Sequence, residues 1–198
     1  MTTGSRLAAR WPALAAGVLA ALSVAACSSG GGGGGGGPSP PTTPPPPARM
    51  LSWTAAAEPG AQTIYLDIRG LGDPDHFVLQ VRANDVTDLY GVALDVVYPA
   101  DLVTLDLAAV VEGGFFSAGG GFATEFQIVE QPAGRIVIGN SRLGPVGGRN
   151  GNGLILELPF DSTASGSGDF AIEKSLAIDS DGQQVATTWL GGTVEIQR

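Results

Sequence analysis

"YGVALDVVYPADLVTLD", Tyr90 to Asp106, is the stretch whose reading decides the fold. Val92, Leu94, Val96 and Tyr98 share one face of an extended chain, and Ala93, Asp95 and Val97 share the other. Pro99 stops the run, and Leu102 and Val103 begin another. This is a half-buried strand, a turn and a second strand.

The same alternation recurs outward from there. "TIYLDIRG" carries Ile64, Leu66 and Ile68 on one face, and "HFVLQVRAN" carries Phe77, Leu79 and Val81. "LVTLDLAAVV", "TEFQIVE", "RIVIGNS", "GLILELPF", "DFAIEKSLAID" and "TTWLGGTVEI" complete nine expected strands. No window carries a helical stripe with caps. Gln131-Pro132-Ala133-Gly134 and Asp181-Gly182 read as turns, and Pro159, lacking an N–H, suits an edge or a bulge. Short strands with regular turns predict an all-β sandwich of two antiparallel sheets over residues 62–198.

Residues 1–26 read as an export signal: Arg6 and Arg10, then an apolar run from Trp11 to Ala26 that is short for a bilayer-spanning helix. Val24-Ala25-Ala26-Cys27 resembles the lipobox of bacterial lipoproteins, which implies cleavage before Cys27 and acylation of it. Cys27 is the chain's single cysteine and has no disulfide partner. More than one acyl chain would give lasting membrane attachment. Ser28 is not the aspartate that holds such proteins at an inner membrane, so the resemblance implies an extracytoplasmic place at the outer membrane or cell surface.

Residues 27–61 form the expected tether. Eight glycines, Gly30 to Gly37, span about 15 Å as a coil, and Pro38 to Ala48 add about 34 Å as polyproline II. Cleavage would leave 8 basic against 19 acidic side chains, a charge of −11. That acidity disfavours nucleic acid as a partner.

Chemistry-bearing residues are sparse. His76 is the only histidine, and "GDPDHF" reads as a solvated turn rather than a metal site. "IDSDGQQ" fails the calcium-loop spacing, because Ala177 and Thr188 would stand where carboxylates are needed. The glycines of "GPVGGRNGNG" miss phosphate-cradling spacing. No cofactor, metal or catalytic residue is expected, and the chain reads as a non-enzyme. For a ligand loop the candidates are Phe115, Phe116 and Phe122 in "GGFFSAGGGF", although core plugs at a sheet end are the preferred reading of them, and Trp189 in the last strand reads as buried.

With the strands placed, "LYGVALDVVYPADLVTLD", "GRIVIGNS", "GNGLILELPF" and "LAIDSDGQQV" together resemble a cohesin domain. The resemblance implies a nine-stranded jelly-roll that docks dockerin modules, and a shared superfamily with cellulose-binding modules keeps polysaccharide recognition as the alternative. In that family the third, fifth, sixth and eighth strands face the dockerin. Carried over, the docking face holds Asp95, with Ala93 and Val97 beside it, then Glu130 and Arg135 from the hairpin Ile128–Ile138. The chain holds one such module and no dockerin of its own, so other envelope partners, or a purely structural role, stay open.

Overall fold

The computed structural model describes residues 48–118, 121–132 and 134–198. The export, lipidation and tether readings of residues 1–47, Cys27 included, lie outside them.

In chain order the strands are β1 (Met50–Ala55), β2 (Thr63–Arg69), β3 (His76–Leu89), β4 (Gly91–Val97), β5 (Val103–Leu105), β6 (Val111–Glu112), β7 (Thr124–Gln131), β8 (Arg135–Arg142), β9 (Arg149–Ser162), β10 (Gly166–Ile178), β11 (Thr188–Leu190) and β12 (Gly192–Gln197). A 3-10 turn, Leu107–Ala109, is the only helical element among the described residues. One sheet has the order β1-β12-β10-β4-β8-β7. The other runs β11-β2-β3-β9-β5, with β6 also on β9. This is the expected all-β, two-sheet sandwich, antiparallel except that β11 lies parallel to β2.

Three differences from the sequence reading have local causes. "LVTLDLAAVV" splits into β5 and β6, because Asp106 N–H donates to the Pro159 carbonyl at 3.0 Å and the 3-10 turn lifts the chain off the ladder. Pro159 sits opposite that gap in an interior strand, not at an edge. Its carbonyl faces the Asp106 side, so its missing N–H faces the interruption. "TTWLGGTVEI" splits at Gly191, where the chain crosses from one sheet to the other. The domain begins before the expected boundary at residue 62. Residues 50–55 pair in register with β12, Leu51 is buried, and Trp53 packs edge-on to Phe170 at 6.1 Å.

The inner faces are those the alternation dictates. Val92, Leu94, Val96 and Tyr98 are all buried, as are Ile64, Leu66, Ile68, Phe77, Leu79, Val81, Ile136, Ile138, Leu156, Leu158 and Phe160. Burying each aliphatic side chain stabilises by about 1.5–3 kcal/mol relative to leaving it in water. At one end Phe77, Tyr98, Phe160 and Phe170 interlock at centroid distances of 5.2–6.2 Å. Edge-to-face pairs of this kind add about 0.5–1.5 kcal/mol each. The β7–β8 hairpin turns as expected through Gly134, whose φ of +93° is left-handed and whose Cβ position is occupied by the Tyr98 carbonyl. The 179–183 turn is likewise local: the Asp179 carboxylate accepts from the N–H groups of Asp181 and Gln183, and Gly182 has φ +75°.

Candidate functional site

The outward face of the first sheet collects side chains from β7, β8, β4 and β10. In-register pairing places Glu125, Gln127 and Val129 on β7 beside Ser141, Gly139 and Val137 on β8. The latter sit beside Gly91, Ala93 and Asp95 on β4, which in turn face Ile178, Leu176 and Glu173 on β10. The face therefore has an apolar end and an ionic end.

At the apolar end lies a concave depression of about 190 Å³, walled by Ala93, Glu125, Gln127, Ser141, Leu176 and Ile178 with Gly139 among them. A Cβ built on Gly139 meets nothing within 4 Å, so the hollow exists because that position has no side chain. Leu176 is 41 % exposed and Val129 57 %, both facing solvent.

At the ionic end Asp95 is only 5 % exposed. Arg135 reaches across from β8, its Nη1 donating to Asp95 Oδ2 at 2.6 Å and its Nη2 to Glu173 Oε2 at 2.7 Å. Those bonds, to Glu173 first and then Asp95, raise the guanidinium pKa above its ordinary value. Lys174, the chain's single lysine, brings its Nζ to 3.6 Å from the same Asp95 oxygen. It does so from a left-handed backbone, φ +43°, within the β-bulge that shifts the β10–β4 register between Glu173 and Leu176.

The five residues expected on this face fare differently. Ala93 and Val97 lie on it, as does Arg135. Asp95 points outward as alternation requires, yet it is covered, because its charge is neutralised by two cations from neighbouring strands. Glu130 is not on the face. The hairpin pairs it with inward-facing Ile136, and it accepts the Tyr98 hydroxyl proton from beneath the sheet. Burial, with Glu130 second, pushes the Tyr98 pKa up to about 12. Gly139, Leu176, Glu173 and Lys174 are missed by a reading confined to β4 and the hairpin. The alternation of β10 would have found the first outward pair, but not the bulge.

In the phenylalanine stretch the core reading holds and the ligand-loop alternative fails for two of the three rings. Phe115 and Phe116 are 4 % and 0 % exposed and meet edge-to-face at 5.3 Å, so they belong to the core and are closed to a ligand. Phe122 is partly exposed, with the Arg142 guanidinium 4.5 Å over its ring. Trp189 is half-buried against the core and lines a shallow groove with Asp169, Gly191 and Thr193. His76 and Asp161 face each other at 2.7 Å at the other sheet's end. No group of three metal-ligating side chains occurs among the described residues.

No family model matches the chain, and no curated protein matches it. Solved structures do match. A non-cellulosomal cohesin from the archaeon Archaeoglobus fulgidus superposes with a TM-score of 0.52 at 19 % identity, covering 68 % of this chain and 89 % of that one. The sixth cohesin of Acetivibrio cellulolyticus scaffoldin B, solved in complex with a mutant Cel5 dockerin, gives 0.57 at 15 % identity over 70 % of this chain and all of that one. A type II cohesin from the same organism's cellulosome gives 0.55 at 8 %, covering 69 % and 95 %. The described domain has the cohesin fold.

Proposed function

We propose that this cohesin-fold domain is a non-catalytic docking module that binds a dockerin-like or other envelope protein through the outer face of β7, β8, β4 and β10, and that Cys27 anchors it by lipid outside the cytoplasm, at an outer membrane or cell surface. One observation carries the docking reading. The face pairs an open aliphatic hollow around Gly139 with a fixed ion cluster at Arg135. An exposed apolar patch beside ordered charge is what a partner surface uses for affinity and register respectively. The cohesins of matching fold that were solved with dockerins support it.

The polysaccharide alternative draws less support. Sugar stacking needs a free aromatic face, whereas Phe115 and Phe116 are core, Phe122 lies under Arg142, and Trp189 packs against the core. Cys27 and the resemblance of its preceding residues to a lipobox support the anchor.

The docking test fills the hollow. Gly139→Trp meets no neighbouring atom at its Cβ, so the variant should keep the wild-type melting temperature. Capture of a protein partner from envelope and secreted fractions should fall at least about tenfold, the loss expected at an interface centre. Full capture by a folded Gly139→Trp variant would sink the reading, and retention on cellulose or chitin with no protein captured would replace it. For the anchor, Cys27→Ser should abolish incorporation of labelled fatty acid; surviving label would defeat it.

A further inference from the structure

β7 ends the first sheet, and among the described residues no strand lies along its far side. It is the longest edge of the sandwich. The second sheet is bounded by the three-residue β11 and β5 and the two-residue β6. β7 runs eight residues in unbroken register with β8, without bulge, proline or lysine, and its two charges, Glu125 and Glu130, lie near its ends.

The direction of its free backbone groups follows from one bond. Leu143 N–H donates to the Ala123 carbonyl at 2.9 Å, so odd-numbered residues of β7 exchange hydrogen bonds with β8. The N–H and C=O groups of Thr124, Phe126, Ile128 and Glu130 therefore face away. Phe126 and Ile128, unlike buried Asn140 and Ile138 opposite them, are only partly covered on the inner side. The edge is open in hydrogen bonding and in apolar surface together.

We infer that β7 pairs antiparallel with β7 of a second copy of this chain, about a two-fold axis through Gln127, joining two six-stranded sheets into one. Register selects this pairing. Centred on Gln127, Phe126 faces the second copy's Ile128 and Ile128 its Phe126, while Thr124 faces Glu130 at both ends. Those four rungs can exchange eight backbone bonds. Glu125 falls opposite Val129, so no carboxylate opposes another. Centring on Ile128 sets Phe126 against Glu130 and leaves Thr124 facing Pro132, which has no N–H. Centring on Phe126 leaves only five residues of each strand overlapping. An edge contact of seven rungs is small beside the roughly 1,200 Å² of stable interfaces, so the association is concentration-dependent. It leaves the outer face of the sheet uncovered and does not depend on the docking reading.

Sedimentation equilibrium of the full chain tests it. Wild type should show a monomer–dimer equilibrium. Gln127→Lys and Gln127→Glu, each placing like charges against one another at the axis, should be monomeric alone, and an equimolar mixture should recover the dimer. Gln127 is exposed on the outer face, so both variants should melt as wild type does. Ile128→Pro, which removes a free-edge N–H without touching the β8 ladder, should also be monomeric. A wild type that stays monomeric at its solubility limit would overturn the inference. So would a dimer that persists in both charge variants, or a mixture that fails to recover it.

Discussion

The two sheets share a core but differ on their outer faces. On β2, β3 and β9 the outward side chains satisfy one another: Arg82 Nη1 donates to Gln80 Oε1 at 2.9 Å, Gln80 Nε2 to Glu157 Oε1 at 2.7 Å, and Arg69 Nη2 to Glu157 Oε2 at 3.2 Å. On β7, β8, β4 and β10 the outward positions include Val129, Val137, Gly139, Ala93 and Leu176, with the ion cluster at one end and a single carboxylate, Glu125, at the rim of the hollow. A polar ladder that closes on itself offers little to a partner. An aliphatic face with a hollow offers area whose removal from water is favourable, at about 25 cal/mol per Å². This contrast is why docking is proposed for one sheet and not for the other.

The largest expected effect lies where both sheets meet. Leu94 is 1 % exposed, and Leu94→Asp would place a carboxylate in that shared core. The cost is on the order of 4 kcal/mol or more, enough to unfold a marginal domain. A variant melting like wild type would undo the assignment of inner and outer faces on which the comparison rests.

Next is Asp95, one residue along on the opposite face. Asp95→Lys would seat a third cation against Arg135 and Lys174 and leave both without their shared carboxylate. A loss of about 2–4 kcal/mol follows from uncoupling this nearly buried pair, read as a drop in denaturant midpoint. An unchanged midpoint would make the cluster an ordinary solvated one. The same substitution judged from sequence alone looks harmless, and the difference is instructive. Period-two alternation gave Asp95 its direction correctly. It carried no information on Arg135, forty residues away, whose long side chain spans the gap between strands.

What was legible elsewhere divides the same way. Core faces follow from spacing within one strand, so β2, β3 and β4 read true. Glu130 was misplaced although the signal was present: a three-residue turn pairs it with Ile136, and Ile136 is inward. For Phe115 and Phe116 the surrounding glycines leave a displayed loop open as an alternative to core plugs, and spacing alone does not choose. What seats them is a glycine elsewhere: a Cβ on Gly153 of β9 would sit 2.4 Å from the Phe115 ring. β1 was lost to the tether because six residues with a single buried aliphatic, Leu51, alternate too weakly to register.

A third, smaller effect belongs to the polar sheet. Gln80 is both donor and acceptor in its ladder, so Gln80→Ala should cost about 1 kcal/mol and leave partner capture unchanged. A loss of capture at unchanged stability would show that the polar face also binds.

The smallest effect is a pH response at the last rung of that same ladder. His76 on β3 pairs directly with Asp161 on β9, Nδ1 to Oδ1 at 2.7 Å, and is the chain's only histidine. The hydrogen bond to Asp161 holds the imidazole pKa above its ordinary 6.5. A group whose folded pKa is raised contributes stability that is fully present below the unfolded value. It is lost as pH rises through the folded value. The window therefore opens near 6.5 and closes somewhat above it. Both side chains are largely exposed, at 69 % and 59 %, so solvent screening keeps the contribution small. The measurement is the difference in melting temperature between wild type and His76→Asn, followed from about pH 5 to about pH 8. It should favour wild type on the acid side and vanish on the alkaline side. The inverse slope would mean that the imidazole is neutral when paired, and the polar sheet would then hold its outer ladder together without charge at this rung.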